Sequence, residues 1–184
     1  MPEPFPGPGG FRAERGPSKE RMATRFQTIV VADDAGSLER WFPFALQIRR
    51  RVFVEEQHVP EALEVDGMDP VCRHVLAFER GSASPSGAGA VGTARLRPIL
   101  ATPGAVKVER VAVLPEWRGR GAGSLVMDTV ESLAEALGFM QLVVSAQAPV
   151  IPWYRRRGYG PVGDRYREAG IEHQRMERCI RHQG

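Results

Sequence analysis

Apolar residues along this chain follow two spacings, one of two residues and one near 3.6, and the order in which the spacings alternate outlines a fold. Phe26 to Val31 is β-branched with weak alternation, which predicts a first strand. Leu38, Trp41, Phe42, Ala45, Ile48 and Val52 recur at helical spacing and predict a helix that Pro43 bends or breaks. A polar, acidic loop follows from His58 to Asp69. Arg73 to Glu79 and Val91 to Arg97 read as second and third strands, joined into a hairpin by a flexible turn from Gly81 to Ala90. Val106 to Leu114 is the fourth strand. Its alternation puts Val106, Val108, Arg110 and Ala112 on one face, with Lys107, Glu109, Val111 and Val113 on the other. Leu125, Val126, Val130, Leu133, Ala134 and Leu137 return to helical spacing from about Gly121, with Gly138 as the C-cap. Met140 to Ala146 predicts a fifth strand and Pro149 to Arg157 a short helix. Two last strands lie near Pro161 to Tyr166 and His173 to Cys179. With no internal repeat, the order describes an α+β mixture built around one sheet.

Composition narrows the class. A chain of 184 residues, 42% apolar and 26% charged, suits one globular domain. Residues 1–24 are rich in Pro and Gly and are expected to be a disordered tail, leaving residues 25–184 as a single domain. No apolar run approaches the roughly 18 residues a membrane-spanning helix needs, and the start lacks the apolar segment of a secretory signal. Cys72 and Cys179 have no metal-ligand or disulfide-framework spacing. A cytoplasmic protein with no metal and no membrane partner is therefore expected. The net charge of +3 is modest, and its densest stretches are Arg49–Arg51, Arg118/Arg120 and Arg155–Arg157. Lacking a basic tail or interleaved aromatics, these point to a small polyanionic ligand and away from nucleic acid.

The candidate chemistry lies in Val111-Ala112-Val113-Leu114-Pro115-Glu116-Trp117-Arg118-Gly119-Arg120-Gly121-Ala122-Gly123. A strand ends, Pro115 stops it, and an amphipathic helix starts near Gly121. Unpaired N–H groups at a helix start bind anions, glycines let a phosphate approach, and Arg118 and Arg120 add charge. The glycine gaps do not fit the dinucleotide fingerprint, and the Lys-Ser/Thr of a Walker loop is absent. The arrangement V-A-V-x-P-x-x-R-G-R-G-x-G instead resembles the acetyl-CoA motif of the GNAT N-acetyltransferase superfamily. Ala146-Gln147-Ala148 followed by Trp153-Tyr154-Arg155-Arg156-Arg157-Gly158-Tyr159 is similar to that family's A-Q-x…F-Y-x-x-x-G-F pattern, with Trp153 and Tyr159 in place of Phe. Arg51 to Gln57, the Glu64-x-Asp66-x-x-Asp69 run, His74, Gly92 to Leu96, Glu109-Arg110-Val111 and Gly170-Ile171-Glu172-His173 further resemble the ElaA-like branch.

The resemblance implies a GNAT-type fold, a mostly antiparallel twisted sheet splayed between strands four and five and flanked by helices. It implies an acyl-CoA-dependent enzyme that moves acetyl from acetyl-CoA to a primary amine by direct attack in a ternary complex, with homodimers frequent among its members. The cofactor diphosphate would sit on Arg118, Gly119, Arg120, Gly121, Ala122, Gly123 and Ser124. Its pantetheine arm would run beside the main chain of Val111, Ala112 and Val113, with Gln147 near the splay.

Such a reaction needs a neutral amine, although a lysine-like amine titrates near about 10.4; a donor for the thioester oxygen; and a proton for the departing thiolate. Tyr154 matches the family's phenol donor. Glu109, expected on the face of Val111 and Val113, is the candidate base, with Glu56, Asp66, His74 and His173 as the other choices. Arg95 is expected to pair with Glu109 or Asp66, Arg155–Arg157 to form a solvated basic face, and the acidic loop from Glu61 to Asp69 to attract a cationic small-molecule or peptide amine. A non-catalytic acyl-CoA-binding regulatory module is the alternative reading.

Overall fold

The computed structural model describes residues 25–31, 35–81 and 89–180. The expected tail and most of the turn between strands two and three lie outside these residues. Among the described residues eight strands form one sheet: β1 (Phe26–Val31), β2 (Arg73–Glu79), β3 (Ala90–Pro98), β4 (Ala105–Val113), β5 (Gln141–Gln147), β6 (Gly160–Pro161), β7 (Tyr166–Glu168) and β8 (Ile171–Cys179). Their order is β1-β2-β3-β4-β5-β8-β6, with β7 also paired to β8. Every pair is antiparallel except β4–β5, so the fold is the expected α+β mixture with one parallel junction.

Two helices cover the two faces. Helix α1 (Ala35–Arg49) keeps Pro43 inside it without breaking, then continues in wider π turns over Arg50–Glu56. The continuity follows from packing: Ala45, Ile48 and Val52 are buried against Val31, Leu76, Phe78 and Ala112. Within the loop after it, Glu61–Glu64 forms a short helix, α2, and Asp69–Val71 a single tight turn. Helix α3 (Ala122–Ala136) covers the opposite face and buries Val126, Met127, Val130 and Ala134 against Val75, Ala94, Leu96, Val106, Val108, Leu142 and Val144. It ends as predicted: Gly138 is left-handed at φ 79, and Phe139 N–H donates to Ala134 C=O while Gly138 N–H donates to Glu135 C=O. Helix α4 (Ile151–Arg156) follows β5 and packs Ile151 and Tyr154 into the α3-side core.

Two irregularities position the site. Strands β4 and β5 pair only from Ala105↔Gln141 to Val108↔Val144. Beyond Val108 the main chain of β4 leaves β5 and opens a gap in the sheet. On its other side, β4 pairs with β3 as Arg95↔Glu109 and then Thr93↔Ala112, three steps on β4 against two on β3. Arg110, left-handed at φ 56, takes up the extra residue.

The bulge corrects the expected alternation. Val106 and Val108 face α3, but past Arg110 it is Val111 and Val113 that pack on the α3 side while Ala112 turns toward α1. Glu109, the cross-strand partner of Arg95, therefore lies on the α1 face, opposite Val111 and Val113.

Candidate active site

The turn after β4 folds as its glycines demand. Pro115–Trp117 makes one tight turn, then Gly119 and Gly121 take φ values of 71 and 99, which a side chain would oppose. Within α3 the first helical bond is from Leu125 N–H to Gly121 C=O, so the N–H groups of Ala122, Gly123 and Ser124 lie outside the helix ladder at its positive end. Space here is limited by β4: a Cβ on Gly123 would lie 3.4 Å from Val113 Cγ2.

The two arginines of the turn differ. Arg120 is exposed, 5.4 Å above the Trp117 ring. Arg118, expected as a rim cation, is already engaged. Its Nε donates to Val113 C=O at 3.1 Å, and its two amino groups clamp the Glu56 carboxylate at 2.7 and 2.6 Å. That clamp ties the turn to the end of α1.

A cleft of about 1060 Å³ passes through the gap between β4 and β5. Its lining includes Gly119, Gly121, Gly123 and Ser124, β4 from Val108 to Val113, Ser145 to Gln147 of β5, and Tyr154. Ala112, Val111 and Val113 thus offer the cleft a strand edge that β5 does not cover. Tyr154 is buried among Trp153 and Tyr159, with ring centroids 4.9 and 5.5 Å away. Burial pushes its phenol above the ordinary tyrosine range, so it holds its proton at neutral pH.

Arg157 fixes the helix that carries Tyr154. Expected on a solvated face, its guanidinium is largely buried instead, donating to Asp128 at 2.6 Å and to Glu131 at 2.9 and 3.0 Å on α3. Arg155 and Arg156 are exposed.

The far wall of the cleft belongs to the α1 face. Gln147 Nε2 donates to Gln57 Oε1 at 2.7 Å, so Gln147 ties β5 to the end of α1 across the gap. Phe53, Val59 and Leu63 continue this wall with apolar surface. Behind it lies a buried ion network. Arg95 donates to Asp66 at 2.6 and 2.8 Å, to Asp69 at 2.8 Å and to Glu109 at 2.8 Å. Both expected partners of Arg95 are thus present, and Asp69 is a third. Arg49 holds Asp69 at 2.6 Å and also Glu64. Arg110 reaches Glu64 at 2.8 Å, Leu63 C=O at 2.8 Å and Asp66 at 3.3 Å. The strained residue of the bulge is therefore fastened by its own guanidinium.

The network fixes protonation states. Burial pulls the Glu109 carboxyl upward, but Arg97 at 2.7 Å, Arg95 and Lys107 at 3.3 Å outweigh it and hold it at about 2. Arg95's hydrogen bonds keep Asp66 well below the usual carboxylate range. Burial pushes Glu64 up against the opposing pull of Arg49 and Arg110. The acidic loop, expected to attract a cationic acceptor, has Glu61, Glu64, Asp66 and Asp69 all paired to arginines; their field is largely cancelled. His74 is a core imidazole: fully buried, its Nε2 donates to Asp69 C=O at 3.1 Å, and burial lowers its pKa. Burial likewise pushes the Cys72 thiol up to about 11, a poor nucleophile.

His173, by contrast, opens on the cleft. It pairs across from Gln147 on β5, while Met176 and Gln174 alternate with it into the α3 side. Ser145, Gln147 and His173 thus share the α1 side of the gap. Hydrophobic spacing could not rank these residues, because what matters is the short parallel pairing of β4 with β5, a feature of tertiary contact. Among the described residues, no cluster of His, Cys, Asp and Glu could hold a metal ion.

A sheet opened at one parallel junction, with a glycine turn and helix start on one side of the opening, defines the acyl-CoA N-acyltransferase class of fold. Residues 32–179 match the model of the Acetyltransferase (GNAT) domain, and the chain belongs to that family. The chain is 31% identical over 133 residues to the uncharacterized N-acetyltransferase YjcF of Bacillus subtilis (strain 168), covering 72% of this chain and 88% of that protein. An acyl-CoA N-acyltransferase from Pseudomonas aeruginosa superposes with a TM-score of 0.68 at 31% identity, covering 83% of this chain and 97% of the other. Escherichia coli ElaA superposes at 0.66 and 26% identity, covering 83% and 99%. The protein is an acyltransferase with an ElaA-like relationship.

Proposed function

We propose that the protein transfers the acetyl group of acetyl-CoA to a primary amine, by direct attack in a ternary complex. The observation that carries this reading is the single cleft through the β4–β5 gap, which joins the glycine turn and Tyr154 to the wall formed by α1 and β8. In this reading the diphosphate rests on main-chain N–H groups between Arg118 and Ser124. The pantetheine arm lies along the uncovered edge of Val111, Ala112 and Val113, as an added strand would. An N–H of β4 steadies the thioester oxygen as charge develops there. Tyr154, whose phenol is protonated at neutral pH, gives its proton to the departing thiolate.

Two residues take different parts from those their sequence positions suggest. Glu109 stays ionised within the Arg95 network and braces the wall. Gln147 spans the gap to Gln57 and holds β5 against α1. The acceptor enters from the α1 side, where Phe53, Val59 and Leu63 offer apolar contact. A reducing cytoplasm suits the protein's two free thiols.

Calorimetry with acetyl-CoA and coenzyme A, followed by thiol release over spermidine, tyramine, glucosamine, kanamycin and a tripeptide, tests the proposal. Binding with release on at least one amine is expected. Binding without release on any of them would favour a regulatory acyl-CoA module. Absence of heat at millimolar cofactor would end the reading.

A further inference from the structure

Direct attack requires a group that takes the amine proton, and of the carboxylates around the cleft all but Glu168, at the end of the β7 strand, are held by cations. Glu109, Glu64 and Asp66 are each held by two or more cations, and Glu56 is clamped by Arg118. We infer that His173 is the proton acceptor for the incoming amine. The inference rests on the acyl-transfer reading above and assigns its base.

The β7–β8 hairpin prepares this imidazole. Its register, Tyr166↔His173, Arg167↔Glu172 and Glu168↔Ile171, leaves Ala169 and Gly170 as the two turn residues. Their φ values of 48 and 78 are those of the two-residue turn that matches strand twist. The hairpin sets the Ile171 carbonyl 2.9 Å from His173 Nδ1. A carbonyl only accepts, so Nδ1 carries the hydrogen in the neutral ring and Nε2 carries the lone pair. Tyr166 stacks on the ring at 5.8 Å between centroids and 21° between planes, and its own hydroxyl bonds Ser145 Oγ at 2.7 Å. The ring is therefore held in one tautomer and one orientation, which is what a base needs before substrate arrives.

Its position complements that of Tyr154. His173 lies on the α1 side of the gap, from which the acceptor approaches, and Tyr154 packs into the α3-side core. The charged groups around the imidazole are Glu168 on the hairpin; Arg175 on β8, paired with Glu177; and Glu64, Asp66, Glu109, Arg110 and Arg118 across the cleft, each in an ion pair. None of these anions displaces Ile171 C=O as the partner of Nδ1.

The step balances as follows. The ammonium acceptor releases one proton to solvent. As its nitrogen forms the bond to the thioester carbon, the second proton passes to His173 Nε2, giving imidazolium. The C–S bond breaks, and the sulfur takes the phenol proton of Tyr154. The imidazolium proton returns through solvent to the phenolate, leaving an amide and a free thiol.

Long-range ¹⁵N–¹H correlation on the whole protein at pH 8, with His173→Gln as the assignment reference, reads the tautomer without any acceptor. The Nδ1–H form is expected, and an Nε2–H ring would overturn the inference. With the most active amine of the panel, His173→Gln should lower kcat about 100-fold or more. It should also change the shape of the pH–rate profile, while acetyl-CoA affinity stays within about two-fold. Wild-type turnover with an unchanged pH profile in the variant would overturn the assignment and leave the transferase reading intact. Loss of acetyl-CoA binding by the wild type would instead overturn that reading.

Discussion

Replacing Glu109 by Gln separates a braced wall from a catalytic base. The side chain is 8% exposed and meets Arg95, Arg97 and Lys107 at 2.8, 2.7 and 3.3 Å. Its carboxyl falls from an ordinary 4.5 to about 2 in the folded protein. At about 1.4 kcal/mol for each tenfold, that difference corresponds to about 3 kcal/mol of stability carried by the ionised form. Because the folded value is the lower one, this stability is complete above the unfolded value of 4.5 and drains away as pH falls toward about 2. Gln imitates the protonated acid. Urea unfolding should therefore find Glu109→Gln weaker by about 3 kcal/mol at pH 7, with the gap to wild type closing as pH falls from about 4.5 to 2. Acetyl-CoA binding should persist under conditions where the variant stays folded. A variant of wild-type stability that binds acetyl-CoA but does not turn over would refute this reasoning and make Glu109 the base.

Three further outcomes follow from the same contacts. Tyr154→Phe removes only the hydroxyl from a packed ring; it should cut kcat about 100-fold while shifting acetyl-CoA affinity by less than about threefold in calorimetry. Gly121→Ala forces a side chain onto φ 99 beside the unpaired N–H groups of α3 and should weaken coenzyme A binding about tenfold in the same assay. Glu56→Gln releases the exposed Arg118 clamp; at low salt it should tighten coenzyme A by about two- to fivefold, an effect that 0.5 M salt removes.

Much of this protein is legible in its spacing. The strands from Phe26, Arg73 and Val106, the apolar stripe of α3 and its Gly138 stop are local features, dictated by side-chain period and backbone freedom. Pro43 misleads because local propensity is overruled: burying Ala45, Ile48 and Val52 against the sheet keeps the helix whole. The turn from Arg118 to Ser124 could be read because glycines and a helix start are written consecutively. Arg118 itself could not, since Glu56, which engages it, is 62 residues away in sequence.

The chain by itself therefore determined the class of fold, the family and the turn that suits a diphosphate, because each depends on neighbours in sequence. Tertiary structure decided the rest. One extra residue at Arg110 turned Val111 and Val113 to the face opposite Glu109, and four arginines from α1, β3 and β4 neutralised the carboxylates of the acidic loop. A gap opened by the short β4–β5 pairing brought His173 and Tyr154 to one cleft from opposite sides of the sheet. Strand register and long-range charge pairing are set by contacts between distant segments, and no local pattern of apolar and polar residues encodes them.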